Sequence, residues 1–235
     1  MEKLVYLLWK RETDAIDAFR ARLIEEAAPK LVADGALALV VNVSDLHAKL
    51  GPNSPLIVGE GRSVSASVSV WLQNHDSRPA LEATLAGVAG RAHGYLVTES
   101  VPLRCPDRSG PDGERSPGVT LWTAFPKPDR LGDEAFYARW YGSHTPLSFE
   151  IHPLWQYVRN AVARPLTPGA PPFRAIVEER FRSLDDILDL KRFFGGDLAN
   201  IKRVMDDLAA FTDIATMNTT PMSEYIVKRE PWLPH

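Results

Sequence analysis

The chain has 235 residues, of which 45% are hydrophobic and 24% charged, and its formal net charge is −3. This composition excludes a disordered chain, a collagen and a coiled coil, and the length is enough for one large domain or two small ones. No apolar run approaches the ~18–20 residues of a membrane span, and the mixed charges form no basic patch for nucleic acid. The single cysteine, Cys105, cannot form an internal disulfide. We therefore expect a cytoplasmic protein that binds neither membranes nor nucleic acid.

A segment rich in proline and glycine divides the chain into two halves of nearly equal length. It spans residues 102–119, and such breakers mark a loop or linker. We predict a first unit over residues 1–104, a linker over 105–118 and a second unit over 119–235.

Both halves present their predicted elements in the same order. In the first half, a helix over 13–35 and a second helix before the last strand alternate with strands predicted over 4–9, 36–46, 64–72 and 94–103. In the second half, a helix over 132–147 and another before the last strand accompany strands over 119–125, 153–163, 173–181 and 214–227. The order βαββαβ, found twice, predicts an α+β fold of two ferredoxin-like repeats.

The third strand of the first half indicates what each face of its sheet contacts. One set of residues there is apolar, namely Val64, Ala66, Val68, Val70 and Leu72, and it alternates with four serines and a tryptophan, namely Ser63, Ser65, Ser67, Ser69 and Trp71. Period two places the apolar set under the helices and the serines on the opposite face. The corresponding strand of the second half carries Arg174, Ile176, Glu178 and Arg180 on one face. These polar faces either contact water or enclose a cavity between two sheets.

The second half carries motifs that resemble a known family. An aromatic helix ending in His-x-Pro-Leu, a Tyr-x-x-Asn strand and a glutamate strand running into Ser-Leu-Asp-Asp resemble the EthD-like family of the dimeric α+β barrel superfamily. The matching residues are His144, Pro146, Leu147, Tyr157, Asn160, Glu178 and 183–186. The resemblance implies that two fused copies form one barrel in a single chain, with the helices outside. The first half is then a diverged copy, in which Pro29 aligns with Pro146 and Ala27 with His144.

His144 is the predicted principal acid/base, because histidine titrates near neutral pH. The alternative is a histidine that only caps a helix. The family pattern implies that His144 lies at the barrel mouth and that Glu178 points inward. We predict that Glu178 and Tyr157 orient the histidine or bind a substrate oxygen. His152 is a further catalytic candidate, with an ordinary loop histidine as the alternative.

Aromatic and polar residues nearby are the predicted substrate-binding set. Flat apolar walls with a few polar groups are typical of pockets for aromatic or polycyclic ligands. The candidates are Tyr137, Tyr141, Trp155, Asn160, Trp71 and Arg180. Core packing is the alternative for the aromatic members.

The sequence contains no motif that selects a metal or a cofactor. It has no HExxH, no Cys/His cluster, no phosphate loop and no nucleophile elbow. We expect neither a metal nor a cofactor, with haem as an alternative because some relatives in the superfamily bind haem through a histidine.

These observations together predict a cofactor-independent lyase, isomerase or cyclase acting on a small apolar molecule, such as an aromatic catabolite or a polyketide. One alternative is a non-catalytic ligand-binding or accessory protein of an oxidative degradation pathway. Another is a haem-handling or monooxygenase-like barrel protein. The sequence leaves undecided whether the protein forms a homodimer through outer strands or helices. We expect the working acid/base in the second half only.

Overall fold

A computed structural model of the chain describes residues 1–46, 50, 59, 64–105 and 110–229. Within these residues eight strands close into one barrel in the order β1-β3-β2-β8-β5-β7-β6-β4, and every neighbouring pair is antiparallel. The strands are β1 (Glu2–Trp9), β2 (Ala38–Val43), β3 (Ala66–Leu72), β4 (Arg91–Leu103), β5 (Val119–Phe125), β6 (Gln156–Pro165), β7 (Ala175–Phe181) and β8 (Asn218–Lys228).

Each half of the chain contributes one four-stranded sheet to the barrel. The first half supplies β4-β1-β3-β2 and the second supplies β8-β5-β7-β6, joined where β2 meets β8 and β4 meets β6. This confirms the predicted pair of ferredoxin-like βαββαβ units. Because neighbouring strands alternate in direction, β5 runs parallel to β1. A rotation about the barrel axis therefore relates the two halves.

The helices follow the predicted order. The first half has α1 (Ile16–Ala21), a π-helical segment (Arg22–Ala27), α2 (Ala28–Ala33) and α3 (Arg78–Val88). The second half has α4 (Asp133–Arg139), a π-helical segment (Trp140–His144), α5 (Thr145–Ile151), α6 (Asp185–Leu188), α7 (Leu190–Phe193) and α8 (Asn200–Phe211). Short 3₁₀ turns cover His75–Ser77 and Ile214–Thr216. No helix in the described part of the chain is long and apolar enough to cross a membrane.

The predicted end of the second-half helix at residue 147 is wrong, because the helix continues through Pro146 to Ile151. Proline lacks an N–H, and inside an α-helix its ring clashes with the carbonyl four residues earlier. A wide π turn precedes the proline in each half, ending at Ala27 two residues before Pro29 and at His144 two residues before Pro146. The structure thus supports the alignment of Ala27 with His144.

The faces of β3 point as the alternation predicts. Val68, Val70 and their apolar neighbours pack with Phe19 of α1 and Leu81 of α3, so the helices lie outside the barrel. Ser67 and Ser69 are buried on the other face, where the Ser69 hydroxyl approaches Glu178 of the second sheet. Ser63 lies outside the described residues. The inner, hydroxyl-lined face therefore belongs to the barrel lumen.

The predicted linker lies between the two sheets, since β4 ends at Leu103 and β5 begins at Val119. Residues 106–109 of that linker lie outside the described residues. The exact unit boundaries stay a prediction.

Candidate functional site

The strand register shows which residues of the two halves are equivalent. In the first half Leu39 of β2 pairs with Val70 of β3, and in the second half Tyr157 of β6 pairs with Glu179 of β7. Leu39 and Tyr157 are each the second residue of their strand, and Val70 and Glu179 are each the fifth residue of theirs, so Leu39 corresponds to Tyr157 and Val70 to Glu179. The π turns already make Ala27 the counterpart of His144.

These three positions differ in chemistry between the halves. Ala27, Leu39 and Val70 are at most 1% exposed and belong to the apolar core beneath the first-half helices. At the same three positions the second half has an imidazole, a phenol and a carboxyl group. We call His144, Tyr157, Glu179 and Asp207 the helix-face cluster. Its members lie between the second sheet and the helices.

Asp207 of α8 orients the imidazole of His144. Its Oδ2 lies 2.8 Å from His144 Nδ1, and the Ser143 hydroxyl donates to its Oδ1 over 2.5 Å. Burial alone would raise the pKa of Asp207, but the hydrogen bonds from His144 and Ser143 hold this pKa below its usual range. An ionised carboxylate on Nδ1 favours the tautomer whose Nε2 accepts a proton. Nε2 lies 3.5 Å from the Ser148 hydroxyl.

Glu179 and Tyr157 complete the cluster under the helices. Burial raises the pKa of Glu179 to about 7, although the charge of His144 opposes that rise. Tyr157 is fully buried, and both burial and the nearby Glu179 raise its pKa. A carboxyl group with a pKa near neutrality can give and take a proton under physiological conditions.

The expected pairing of Glu178 with His144 is not what the structure shows. Adjacent residues of a strand point to opposite faces, so Glu178 points into the lumen while His144 packs on the outer face. His144 contacts Asp207 instead, and its charge acts on the pKa of Glu179. The sequence offered a signal for Glu179, which interrupts an otherwise apolar face of β7, but none for Asp207, a further 28 residues along the chain.

Three neutral polar groups of the lumen approach the Glu178 carboxylate. Its Oε2 lies 3.4 Å from Asn42 Nδ2, and its Oε1 lies 3.4 Å from Asn160 Nδ2 and 3.5 Å from Ser69 Oγ. We call Asn42, Ser67, Ser69, Asn160 and Glu178 the lumen cluster. All five are at most 6% exposed.

Two other predicted binding residues also face the lumen. Arg180 forms a buried ion pair with Glu224 over 2.7 Å. Lys3, whose Nζ lies 2.7 Å from Glu99, lies 4.5 Å from the ring centroid of Trp71. The lumen therefore collects Glu178, Asn160, Arg180 and Trp71, but not the predicted histidines.

The remaining candidates lie apart from both clusters or pack at their edge. His152 contacts the Phe193 carbonyl through Nδ1 over 2.8 Å, and burial lowers its pKa to about 4. Tyr137 and Tyr141 contact each other with tilted rings in the helix layer, where Arg159 lies 4.0 Å from the centroid of the Tyr141 ring. Trp155 contacts Arg180 and Arg182 through its ring.

A cavity of about 230 Å³ lies on the helix side of the first half, away from both clusters. Tyr6, Glu82 and Thr167 are among its lining residues. The Tyr6 hydroxyl donates to Glu82 over 3.1 Å, and Glu82 also pairs with Arg78. The charges of Arg78 and Glu82 compensate each other, and no histidine is among the described residues that line this cavity.

The described residues contain no group of three or more His, Cys, Asp or Glu side chains arranged to hold a metal ion. His144 does not fit haem as an axial ligand. Its Nδ1 is on Asp207, Ser148 faces its Nε2, and its ring packs on Phe211, which contacts Phe125 and Phe136 in turn. Such aromatic packing does not fit a porphyrin standing on the imidazole, and we derive no step through haem.

Comparison with known proteins identifies the fold. No family model and no curated protein matches the chain. A solved structure of an anthrone oxidase-like protein matches with a TM-score of 0.62 at 12% identity, covering 100% of this chain and 97% of that one. A putative monooxygenase from Lactobacillus acidophilus matches with a TM-score of 0.54 at 11% identity, covering 97% and 95%. The chain has the α+β barrel fold of these proteins, while the EthD-like family itself is not shown.

Proposed function

We propose that the helix-face cluster is the active site of an enzyme that moves protons on a small aromatic molecule without a cofactor, as a lyase, isomerase or cyclase does. The observation that carries this proposal is the replacement of Ala27, Leu39 and Val70 by His144, Tyr157 and Glu179 at equivalent positions. An apolar core is the more stable use of such positions, because burying ionisable groups costs free energy. Perturbed titratable groups of this kind cluster at functional sites.

Each member of the cluster has a role that follows from its geometry. His144 takes a proton from a substrate carbon through Nε2, and Asp207 holds the ring and stabilises the imidazolium. Glu179, with a pKa of about 7, is the second proton-transfer group: its protonated form donates its own proton at another atom, and exchange with water then removes the proton from His144 and reprotonates Glu179. Tyr157 donates a hydrogen bond to the oxygen on which negative charge develops. Two groups with separately tuned pKa values allow acid and base roles to be divided.

The substrate class follows from the walls and from the fold neighbour. Aromatic side chains surround the cluster, among them Phe136, Tyr137, Trp140 and Tyr141. Flat apolar walls with few polar groups favour a planar aromatic ligand. The anthrone oxidase-like neighbour adds a specific probe, because anthrone is a polycyclic ketone with a carbon acid that a base can deprotonate. Glu178 and His152 have no part in this mechanism.

Proton exchange at carbon tests the proposal without knowledge of the product. The protein is incubated with anthrone and a panel of phenolic ketones in D₂O without oxygen, and NMR follows deuterium uptake at the acidic carbon. We expect catalysed exchange, and a loss of about 10²–10⁴-fold in His144→Ala. His75→Gln, which removes a histidine of the first half, serves as the control and retains the rate. Tight binding without exchange would instead identify a ligand-binding accessory protein.

A further inference from the structure

The first half contains a cavity that the proposed active site does not use. Its volume is about 230 Å³, and it lies between α3 and the strands β1 and β4. An apolar cavity of about 150 Å³ is enough for benzene, whereas the pockets of drug-sized ligands measure about 300–1,000 Å³. The size therefore fits one aromatic ring with a small substituent. Ala86, Gly90 and Arg91 line the cavity and are exposed, so a ligand can enter from solvent.

Two hydrogen-bonding side chains, Tyr6 and Glu82, line the cavity among apolar ones. Tyr6 is 1% exposed, and its hydroxyl donates to Glu82 Oε1 over 3.1 Å. Burial and the charge of Glu82 raise the pKa of Tyr6, so the hydroxyl keeps its proton. The apolar part of the lining consists of one leucine and three alanines, namely Leu85, Ala86, Ala89 and Ala92.

Tyr6 takes this position because a glycine lies opposite it in the sheet. Tyr6 of β1 pairs with Gly94 of β4, and a Cβ atom on Gly94 would lie 2.5 Å from Tyr6 Cε1. Any larger residue there would displace the phenol ring. A glycine inside a strand often marks such a close approach.

The second half has no phenol at the equivalent position. Leu4 and Leu121 pair with equivalent residues of β3 and β7, so Tyr6 and Thr123, two residues later in each strand, also correspond. The Thr123 hydroxyl lies 3.3 Å from that of Thr219, its partner on β8, and the two form a hydrogen bond. The phenol over a glycine is therefore a feature of the first half.

The polar pair of the cavity offers hydrogen-bond acceptors. The Tyr6 hydroxyl has one proton and donates it to Glu82, so its oxygen can only accept a further hydrogen bond. Glu82 Oε1 also pairs with Arg78 Nε over 3.2 Å, and within the described residues no donor contacts Glu82 Oε2. Arg78 compensates the charge of Glu82, and Arg91 adds a positive charge to the lining. These groups favour a neutral donor over a cation.

We propose that this cavity is a second ligand site and binds a neutral monocyclic phenol, whose hydroxyl donates to the acceptor pair of Tyr6 and Glu82 while its ring packs on the apolar lining. The volume excludes a polycyclic ligand, and the two acceptors exclude a carboxylate. A rigid ring is favoured over a flexible chain because less conformational freedom is lost on binding. The site is separate from the helix-face cluster, so its test does not depend on catalysis.

Fluorine NMR titration with 4-fluorophenol tests the proposal, and 4-fluoroanisole, in which a methoxy group replaces the hydroxyl, is the comparison ligand. We expect 4-fluorophenol to saturate the wild type with a Kd of about 1 mM or below. 4-Fluoroanisole should bind at least about tenfold more weakly, because it cannot donate and leaves the acceptors unpaired. The double variant Tyr6→Phe/Glu82→Ala removes both acceptors and should lose this preference. If it does not fold, Glu82→Ala is measured alone.

Two alanine positions of α3 locate the bound phenol. Ala86 lines the cavity, whereas Ala83 is exposed on the same helix and does not line it. Leucine is a good helix former, so Ala86→Leu and the control Ala83→Leu should both fold. Ala86→Leu fills the cavity and should weaken 4-fluorophenol binding at least about tenfold, while Ala83→Leu leaves it unchanged.

Three results would overturn the proposal. The first is no saturation of the wild type by about 10 mM 4-fluorophenol. The second is equal affinity for 4-fluorophenol and 4-fluoroanisole, or a preference that persists without the acceptors of Tyr6 and Glu82. The third is unchanged binding in Ala86→Leu, which would place the phenol elsewhere in the protein.

Discussion

Replacing Glu179 with glutamine should change how the stability of the protein depends on pH. The carboxyl group has a pKa of about 7 in the folded protein and 4.5 as its ordinary value. Between these values the folded state binds more protons than the unfolded state, so stability falls as pH rises. The cost grows by about 1.4 kcal/mol per pH unit and reaches about 3 kcal/mol at neutral pH. Glutamine mimics the protonated form and avoids this cost.

His152 produces the opposite dependence in nearly the same range. Burial lowers its pKa from 6.5 to about 4, so between these values the folded state binds fewer protons and stability rises with pH. The two slopes have similar size and opposite sign from about pH 4.5 to 6.5. In the wild type they largely cancel, and each single variant should reveal the slope that remains.

The measurement is the free energy of unfolding in urea between pH 4.5 and 7.5 for the wild type, Glu179→Gln and His152→Gln. Other titrating groups cancel when each variant is compared with the wild type. The advantage of Glu179→Gln should grow from near zero at pH 4.5 to about 3 kcal/mol at pH 7. A difference that stays constant across this range would refute the raised pKa of Glu179. The acid role that we propose for this residue would then lose its basis.

Two further predictions concern the helix-face cluster. Asp207→Asn should lower the rate of carbon-proton exchange about 10–100-fold and shift the pH profile of that rate. The reason is that asparagine can donate a hydrogen bond to His144 Nδ1 and so stabilise the wrong tautomer of the imidazole. An unchanged pH profile would show that Asp207 only packs against His144. Val70→Glu places a carboxyl group at the first-half position equivalent to Glu179, where Ala27 and Leu39 offer no partner, and should destabilise the protein at pH 7 by about 3 kcal/mol or more. Circular dichroism during thermal unfolding checks this, with Val70→Ala as the control for lost packing; equal losses in both variants would contradict the asymmetry of the halves.

Local rules explain why the architecture was accessible from the sequence. Alternation in β3, breakers between elements and the repeated element order each depend on residues close together in the chain, and they suffice for two βαββαβ units. The helix end near Pro146 was mispredicted because a π turn, which has no clear sequence signature, accommodates the proline. Asp207 was missed because its contact with His144 joins residues 63 positions apart. Only tertiary packing brings such residues together.

Glu179 was missed for a different reason. Two correct expectations already excluded the predicted pairing of His144 with Glu178. Placing the helices outside the barrel puts His144 on the outer face of the second sheet. Placing Glu178 on the inner face, as the alternation of β7 requires, separates it from every helix residue by the thickness of the sheet. A histidine on an outer helix can approach only strand residues that point outward. Next to the inward Glu178 in β7, that residue is Glu179. The proposed active site therefore follows from strand parity together with the position of the helices, and a family motif that names an inward glutamate describes the lumen instead.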